Sequence, residues 1–240
     1  MLDQFPKQRQ ALPEDYASIY LTLYSENRSG NSVLARLRKY LESWMHRQVS
    51  TKNTGSENLL EVGAGQLNHA NYETNYQTYD VIEPLIQDWD SEVLRKVTSI
   101  YSSIFEIEAE KRYDRIFSIA VLEHIADLPL LVAHSAHRIH EGGLFQAAIP
   151  CEGSWLWHLS SRTLVGAAFR LKYGLNYDVL MDYEHLNTYS EIVDVVSHFF
   201  RHVKVKRTLN LPFHLSLYAY IEATDPKLNE VYECLESRRS

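Results

Sequence analysis

From residue 57 onward the chain alternates short apolar runs with stretches of helical periodicity, and few folds accommodate that alternation. Strands are predicted at Asn58–Val62, Thr78–Ile82, Val97–Tyr101, Tyr113–Ile119, Gly143–Ile149, Val203–Arg207 and Ser216–Glu222. Helices are predicted at Ile86–Leu94, His124–Ile139, Trp155–Leu171 and Ser190–Phe200. Strand, helix and strand in succession build parallel pairs, so the expected class is α/β, a seven-stranded, mostly parallel sheet with flanking helices. The last two strands follow each other without a clear crossover helix, so the final one is expected to return antiparallel.

Ahead of this pattern, Val33, Leu34, Leu37, Leu41 and Trp44 recur at helical spacing between Ser32 and Gln48, and Tyr16, Tyr20 and Tyr24 recur every four residues before them. Residues 1–50 therefore read as an N-terminal helical cap and 51–240 as the main domain, with a helical insertion at about 151–187 after the fifth strand. The formal net charge of −7 argues against an extended phosphate-binding surface, so nucleic acid is a disfavoured partner. No run approaches the roughly 20 apolar residues of a membrane span, and Met1–Asp15 has no apolar core of signal-peptide length. The two cysteines, Cys151 and Cys234, form neither a CxxC pair nor a metal-site spacing. A cytoplasmic location is expected.

The first strand runs directly into Gly63-Ala64-Gly65, where glycine lets the backbone turn sharply and approach a ligand without an intervening Cβ. The second strand ends in Glu83 about 20 residues later, the place of a carboxylate that binds ribose hydroxyls. Taken singly, the glycines also suit an ordinary tight turn, and Glu83, before Pro84, also suits a helix start.

Four stretches together carry a family resemblance: Leu60–Gly65 (LEVGAG), Tyr79–Pro84 (YDVIEP), Tyr113–Ile125 (YDRIFSIAVLEHI) and Glu141–Pro150 (EGGLFQAAIP). Over residues 57–150 the sequence resembles the class I, Rossmann-like S-adenosylmethionine-dependent methyltransferases, and more loosely so through Tyr183–Asn187 to the last strands. The resemblance implies S-adenosyl-L-methionine as cofactor. It places Glu61 near the methionine amino group, Gly63, Ala64 and Gly65 under the methionine and ribose, and Glu83 on the ribose hydroxyls. Ser102, Ser103 and Ile104 match the adenine-binding turn, and Ser118 to Val121, with Ala120 among them, match the floor beneath the sulfonium. Two departures concern the same pocket. Leu67 stands where the family often has a third glycine, with a polar, broken stretch Asn68–Tyr72 behind it that predicts a short or irregular connection, and Ser103 stands where an aspartate is common.

Methyl transfer is an in-line displacement, so such a protein chiefly needs to align an oxygen or nitrogen nucleophile and exclude water. A hydroxyl acceptor gains from a base that titrates near neutrality, and the candidates are His185, favoured for its place at the end of the insertion, His124 and His158. His124 and the adjoining Glu123 also suit a plain helix start. Trp155, Trp157, Arg162, Arg170, Tyr173, Tyr177 and Tyr183 give the insertion an aromatic and arginine mixture that suits a polar small molecule with apolar faces, such as a sugar, a carrier-linked group or a secondary metabolite, or else simply packs a lid. Tyr24 and Arg28 are expected to close over the cofactor from the N-terminal segment. His134, His137 and His140 nearly share a helical face but lack the carboxylate or cysteine pattern of a metal site. Two rival readings are a nicotinamide-dependent oxidoreductase, which shares the GxG and ribose carboxylate but requires a third glycine absent here, and a catalytically silent scaffold of the same fold.

Overall fold

The computed structural model describes residues 1–17, 19, 33–51, 57–85, 89–159 and 166–238. Seven strands form one sheet: β1 (Glu57–Val62), β2 (Tyr76–Ile82), β3 (Ser99–Tyr101), β4 (Tyr113–Ile119), β5 (Ile139–Pro150), β6 (Phe200–Arg207) and β7 (Tyr218–Pro226). Their order is β3-β2-β1-β4-β5-β7-β6, parallel from β3 to β5, with β7 antiparallel to both β5 and β6. The expected α/β sheet, including its antiparallel return, is therefore present. The central strand β1 is buried along almost its whole length, as a strand covered by helices on both faces must be.

Helices among the described residues are α1 (Val33–Ser50), α2 (Ser91–Leu94), α3 (Leu128–His137), α4 (Trp155–Leu159), α5 (Gly166–Tyr173), α6 (Tyr177–Glu184), α7 (Tyr189–Phe199) and α8 (Leu228–Ser237). On one face of the sheet, Leu60, Ile82, Ile116 and Ala147 pack with Val132, Ala136, Ile192, Val196 and Val231, the inward faces of α3, α7 and α8. The other face packs Leu59, Tyr79, Val81 and Phe117 against Met45 and Val49 of α1. A separate cluster joins Tyr16 to Phe169 and Leu180 of the insertion.

Boundaries shift where capping or bulges overrule periodicity. The helix predicted from His124 starts at Leu128, because the Asp127 side chain caps it and Leu122–His124 forms a separate 3-10 turn. The fifth strand begins at Ile139 rather than at Gly143: Gly142, at φ 77°, sits where the pairing with β4 slips register, so the glycines mark a bulge inside the strand. Within the insertion, the one predicted helix Trp155–Leu171 is replaced by α4 and by α5, which runs two residues past its expected end, whereas α6 and the C-terminal α8 were not anticipated. A capping box of Thr188 and Glu191 starts α7 one residue ahead of its expected position. Residues 86–88, part of a predicted helix, lie outside the described residues.

One buried polar network crosses the second face. Arg115 in β4, 2% exposed, donates to Glu57 of β1 at 3.1 Å, to Glu73 at 3.0 and 3.2 Å, to Gln146 of β5 at 3.1 Å and to the Val49 carbonyl near the end of α1 at 2.8 Å. Glu73 in turn meets His69 Nε2 at 2.9 Å, and His69 Nδ1 lies 3.0 Å from His46 Nδ1. Burial holds the His69 imidazole down at about 4, so it is neutral near pH 7. Its Nε2–H then donates to Glu73, and its bare Nδ1 accepts from His46.

Candidate functional site

At the C-terminal ends of β1, β2 and β4, where the strand order reverses around β1, lies a cleft of about 850 Å³. Glu61, Gly63, Ala64, Gly65, Glu83, Ser103, Ile104 and Ala120 all line it. Tyr24 and Arg28 lie outside the described residues.

The loop after β1 is tied to the neighbouring strand end. Gly63 N–H donates to the Ile82 carbonyl at 2.8 Å, and Gly65 N–H donates to Glu83 Oε2 at 2.7 Å. The second Glu83 oxygen accepts from Leu85 N–H at 3.1 Å, and the Trp89 indole N–H donates to the Gly65 carbonyl at 2.7 Å. Both glycines have positive φ, 76° and 51°, but for different reasons. A Cβ at Gly63 would stand 2.4 Å from Val121 Cγ2, whereas a Cβ at Gly65 would meet nothing within 4 Å. Leu67 holds a left-handed backbone at φ 59°, and only a 3-10 turn, Asn68–Asn71, follows it. The short connection expected from the polar stretch is thus the one found.

Glu61 is 3% exposed and accepts from the Tyr79 hydroxyl. Burial raises its carboxyl to about 8 against the lowering effect of that hydrogen bond, and the nearby carboxylates of Glu73 and Glu83 add to the rise. The group is therefore largely protonated at pH 7. Ser103 spends its oxygen locally, accepting from Phe105 N–H at 3.3 Å to cap the turn Ile104–Glu106. Ile104 is buried there, while the Phe105 ring is 64% exposed at the cleft margin.

The other end of the cleft is built from β4 and the insertion. Ala120 bends away from β4 with φ 54°, and its N–H is held by the Ala148 carbonyl at 2.8 Å. His124 lines the wall just beyond it, with Nδ1 2.8 Å from the Glu184 carbonyl. His185 stands behind His124, ring centroids 4.9 Å apart, and its Nδ1 is 3.0 Å from Glu152. Burial opposes the charged form of His185, but the Glu152 hydrogen bond and the carboxylates of Glu152, Glu123 and Glu184 leave its affinity for a proton raised. His158 is exposed on α4 and does not line the cleft. Sequence reasoning missed Arg9, Met45 and His46, which reach the cleft from the N-terminal segment. No motif marks Arg9, and His46 becomes visible only once α1 is seen lying on the sheet.

No family model matches the sequence, and no curated protein matches it either. Solved structures do match. A 1,6-didemethyltoxoflavin-N1-methyltransferase from Burkholderia thailandensis, with S-adenosylhomocysteine bound, superposes with a TM-score of 0.58 at 15% identity over 91% of this chain and 93% of that one. The N-methyltransferase NodS from Bradyrhizobium japonicum in complex with S-adenosylhomocysteine gives 0.55 at 13% identity, over 89% of this chain and 100% of that one. A SAM-dependent methyltransferase from Thermotoga maritima gives 0.52 at 12% identity, over 80% and 95%. The chain has the class I methyltransferase fold. Among the described residues, no helix is long and apolar enough to cross a membrane.

The two glycines of the loop after β1 separate fold from site. Gly63→Val should destabilise the protein strongly, since its side chain collides with Val121 and the backbone is left-handed. Gly65→Val should be destabilised less, by the strain of its left-handed backbone without a collision, yet bind S-adenosylhomocysteine at least tenfold more weakly. Thermal melts with and without the ligand check both; a Gly65→Val protein that is stabilised by ligand as much as wild type would contradict the placement.

Proposed function

We propose that the chain binds S-adenosyl-L-methionine in this cleft and directs its methyl group to a small polar acceptor, with a hydroxyl of a sugar, a carrier-linked group or a secondary metabolite the favoured class. The observation that carries the reading is the Glu83 carboxylate, fixed at the end of β2 by Gly65 N–H 2.7 Å away, on the wall of the cleft. A carboxylate so held is oriented before any ligand arrives and suits a pair of ribose hydroxyls. The fold is that of proteins whose names record bound S-adenosylhomocysteine. When bound, the cofactor supplies an electrophilic methyl group on a sulfonium.

The protein's own contributions are orientation and exclusion of water. Glu83 and Gly65 define the ribose end, Ser103 and Ile104 the adenine end, and Glu61 sits where a cationic amino group would meet a carboxylate. Ala120 forms the floor below the methyl position. The acceptor end is assigned to His124 with His185 behind it; His158 takes no role in this arrangement. Residues 1–50 act as a cap through Arg9, Met45 and His46, and the insertion at 151–187 covers the cleft through Glu184. The nicotinamide alternative is less well supported because the turn after Gly65 opens no helix N-terminus for a pyrophosphate, only a 3-10 turn.

Glu83→Ala should weaken S-adenosylhomocysteine binding by about 10- to 100-fold, the loss of roughly 1.5–3 kcal/mol of charge-assisted hydrogen bonding. Titration calorimetry measures it, and unchanged affinity in a folded variant would refute the ribose assignment.

Binding should also release a proton. Glu61 holds its proton up to about 8 in the free protein, and a ligand ammonium beside it favours the carboxylate. Affinity should therefore rise from pH 6 toward pH 8 and level off above it. Calorimetry at pH 7 in phosphate and in Tris should give different apparent enthalpies, a difference that Glu61→Gln abolishes. Equal enthalpies in the wild type would place the amino group elsewhere.

A further inference from the structure

Glu123, His124 and His185 bring one ligand atom each to within 4.8 Å of one another. Glu123 is 2% exposed, and its Oε2 has no hydrogen-bond partner among the described residues. A buried acceptor of this kind calls for a donor or a cation.

One nitrogen of each imidazole is held in place, which sets the role of the other. The Glu184 carbonyl can only accept, so His124 Nδ1 carries the hydrogen in that 2.8 Å contact. His185 Nδ1 likewise donates to the Glu152 carboxylate at 3.0 Å. In the neutral rings both Nε2 atoms then carry lone pairs, the tautomer a metal ligand needs, and a carbonyl and a carboxylate behind them are the partners that orient ligating histidines. The cluster is also rigid. Leu186 and Asn187 N–H donate to the Glu123 carbonyl at 2.7 and 3.0 Å, and the Asn187 side chain donates to the Leu122 and Ile125 carbonyls at 2.9 and 2.7 Å. These bonds fasten the segment bearing His185 onto the turn bearing Glu123 and His124, so the three groups meet before any ligand arrives.

The geometry points to a divalent transition-metal site formed by Glu123, His124 and His185, of which His124 lines the cleft. Two imidazoles and one carboxylate, without a thiolate, suit Mn²⁺, Fe²⁺, Co²⁺ or Zn²⁺ rather than Ca²⁺ or Cu⁺. Glu123 supplies one negative charge in the first coordination sphere and Glu152 a second one behind His185. An ion there would take an acceptor oxygen as a further ligand and lower its pKa, doing for a hydroxyl what a general base would otherwise do. This use of the site rests on the proposed methyl transfer; the site itself does not.

Co²⁺ is the probe, because coordination by nitrogen and oxygen gives it visible absorption, and Mn²⁺ paramagnetic resonance is the second readout. The metal-stripped protein should bind one equivalent of Co²⁺ at micromolar concentration. Glu123→Gln, which is isosteric, and His185→Ala should each weaken binding at least 100-fold, while Glu152→Gln should weaken it about 10- to 100-fold. Melting curves verify that each variant is folded. Absence of Co²⁺ and Mn²⁺ binding below millimolar concentration overturns the proposal, as does binding that survives both Glu123→Gln and His185→Ala. S-adenosylhomocysteine calorimetry on the same samples keeps the two readings apart: Co²⁺ bound through these residues without any ligand affinity would support the metal site and overturn the cofactor assignment.

Discussion

A guanidinium with 2% exposure in the middle of β4 is the interaction on which the second face of the sheet depends. Arg115 ties β1, β5, the loop before β2 and the end of α1 to one planar group, its charge matched by Glu57 and Glu73 and its other N–H groups by Gln146 and the Val49 carbonyl. Breaking such a pair by removing one member typically costs about 3–5 kcal/mol. Burial works against an ionised Glu73, yet its hydrogen bonds to His69 and Arg115 hold it down at about 2, so the charge pair persists across the ordinary pH range. Because His69 is neutral beside it, hydrogen bonds run from His46 in the cleft wall through His69 to Glu73, where they meet those from Arg115. The core network and the shape of the site are thus set by the same residues.

Two of the non-glycine residues with left-handed backbone stand at the loops that build the cleft. Leu67 and Ala120, neither of them glycine, both hold positive φ, 59° and 54°, at a cost of roughly 1–2 kcal/mol each. Leu67 is fully buried and Ala120 is anchored by the Ala148 carbonyl, so packing and hydrogen bonding keep both in place. Strain held in this way is common around binding sites, where a turn has to bring main-chain groups to a ligand. Here the two strained residues flank the ends of β1 and β4. The site falls into two halves as a result, a carboxylate and glycine half around Glu83 and a histidine half around His124.

Much of the sheet was legible because its signal is local: seven apolar runs of strand length, an abrupt turn after Val62 and an acid at the end of β2. The eight described cofactor candidates were implied by the family resemblance at those strand ends, and they line one cleft. Less legible was whatever depends on contacts distant in sequence. Arg115 reads as an ordinary polar residue in an alternating strand until Glu57, Glu73 and Val49 are brought around it. His185 was expected at the cleft wall, but the bonds of residues 186 and 187 to Glu123 set it behind His124. The Gly142-Gly143 pair has the composition of a turn, and only its pairing with β4 makes it a bulge.

The most direct measurement of the central claim is a crystal structure of the protein with S-adenosylhomocysteine. The account predicts the ribose hydroxyls within hydrogen-bond distance of Glu83, the adenine against Ser103 and Ile104, and the amino group toward Glu61, with the sulfur pointing to Ala120 and His124. Ligand density elsewhere on the chain, or in this cleft with the ribose turned away from Glu83, would contradict it.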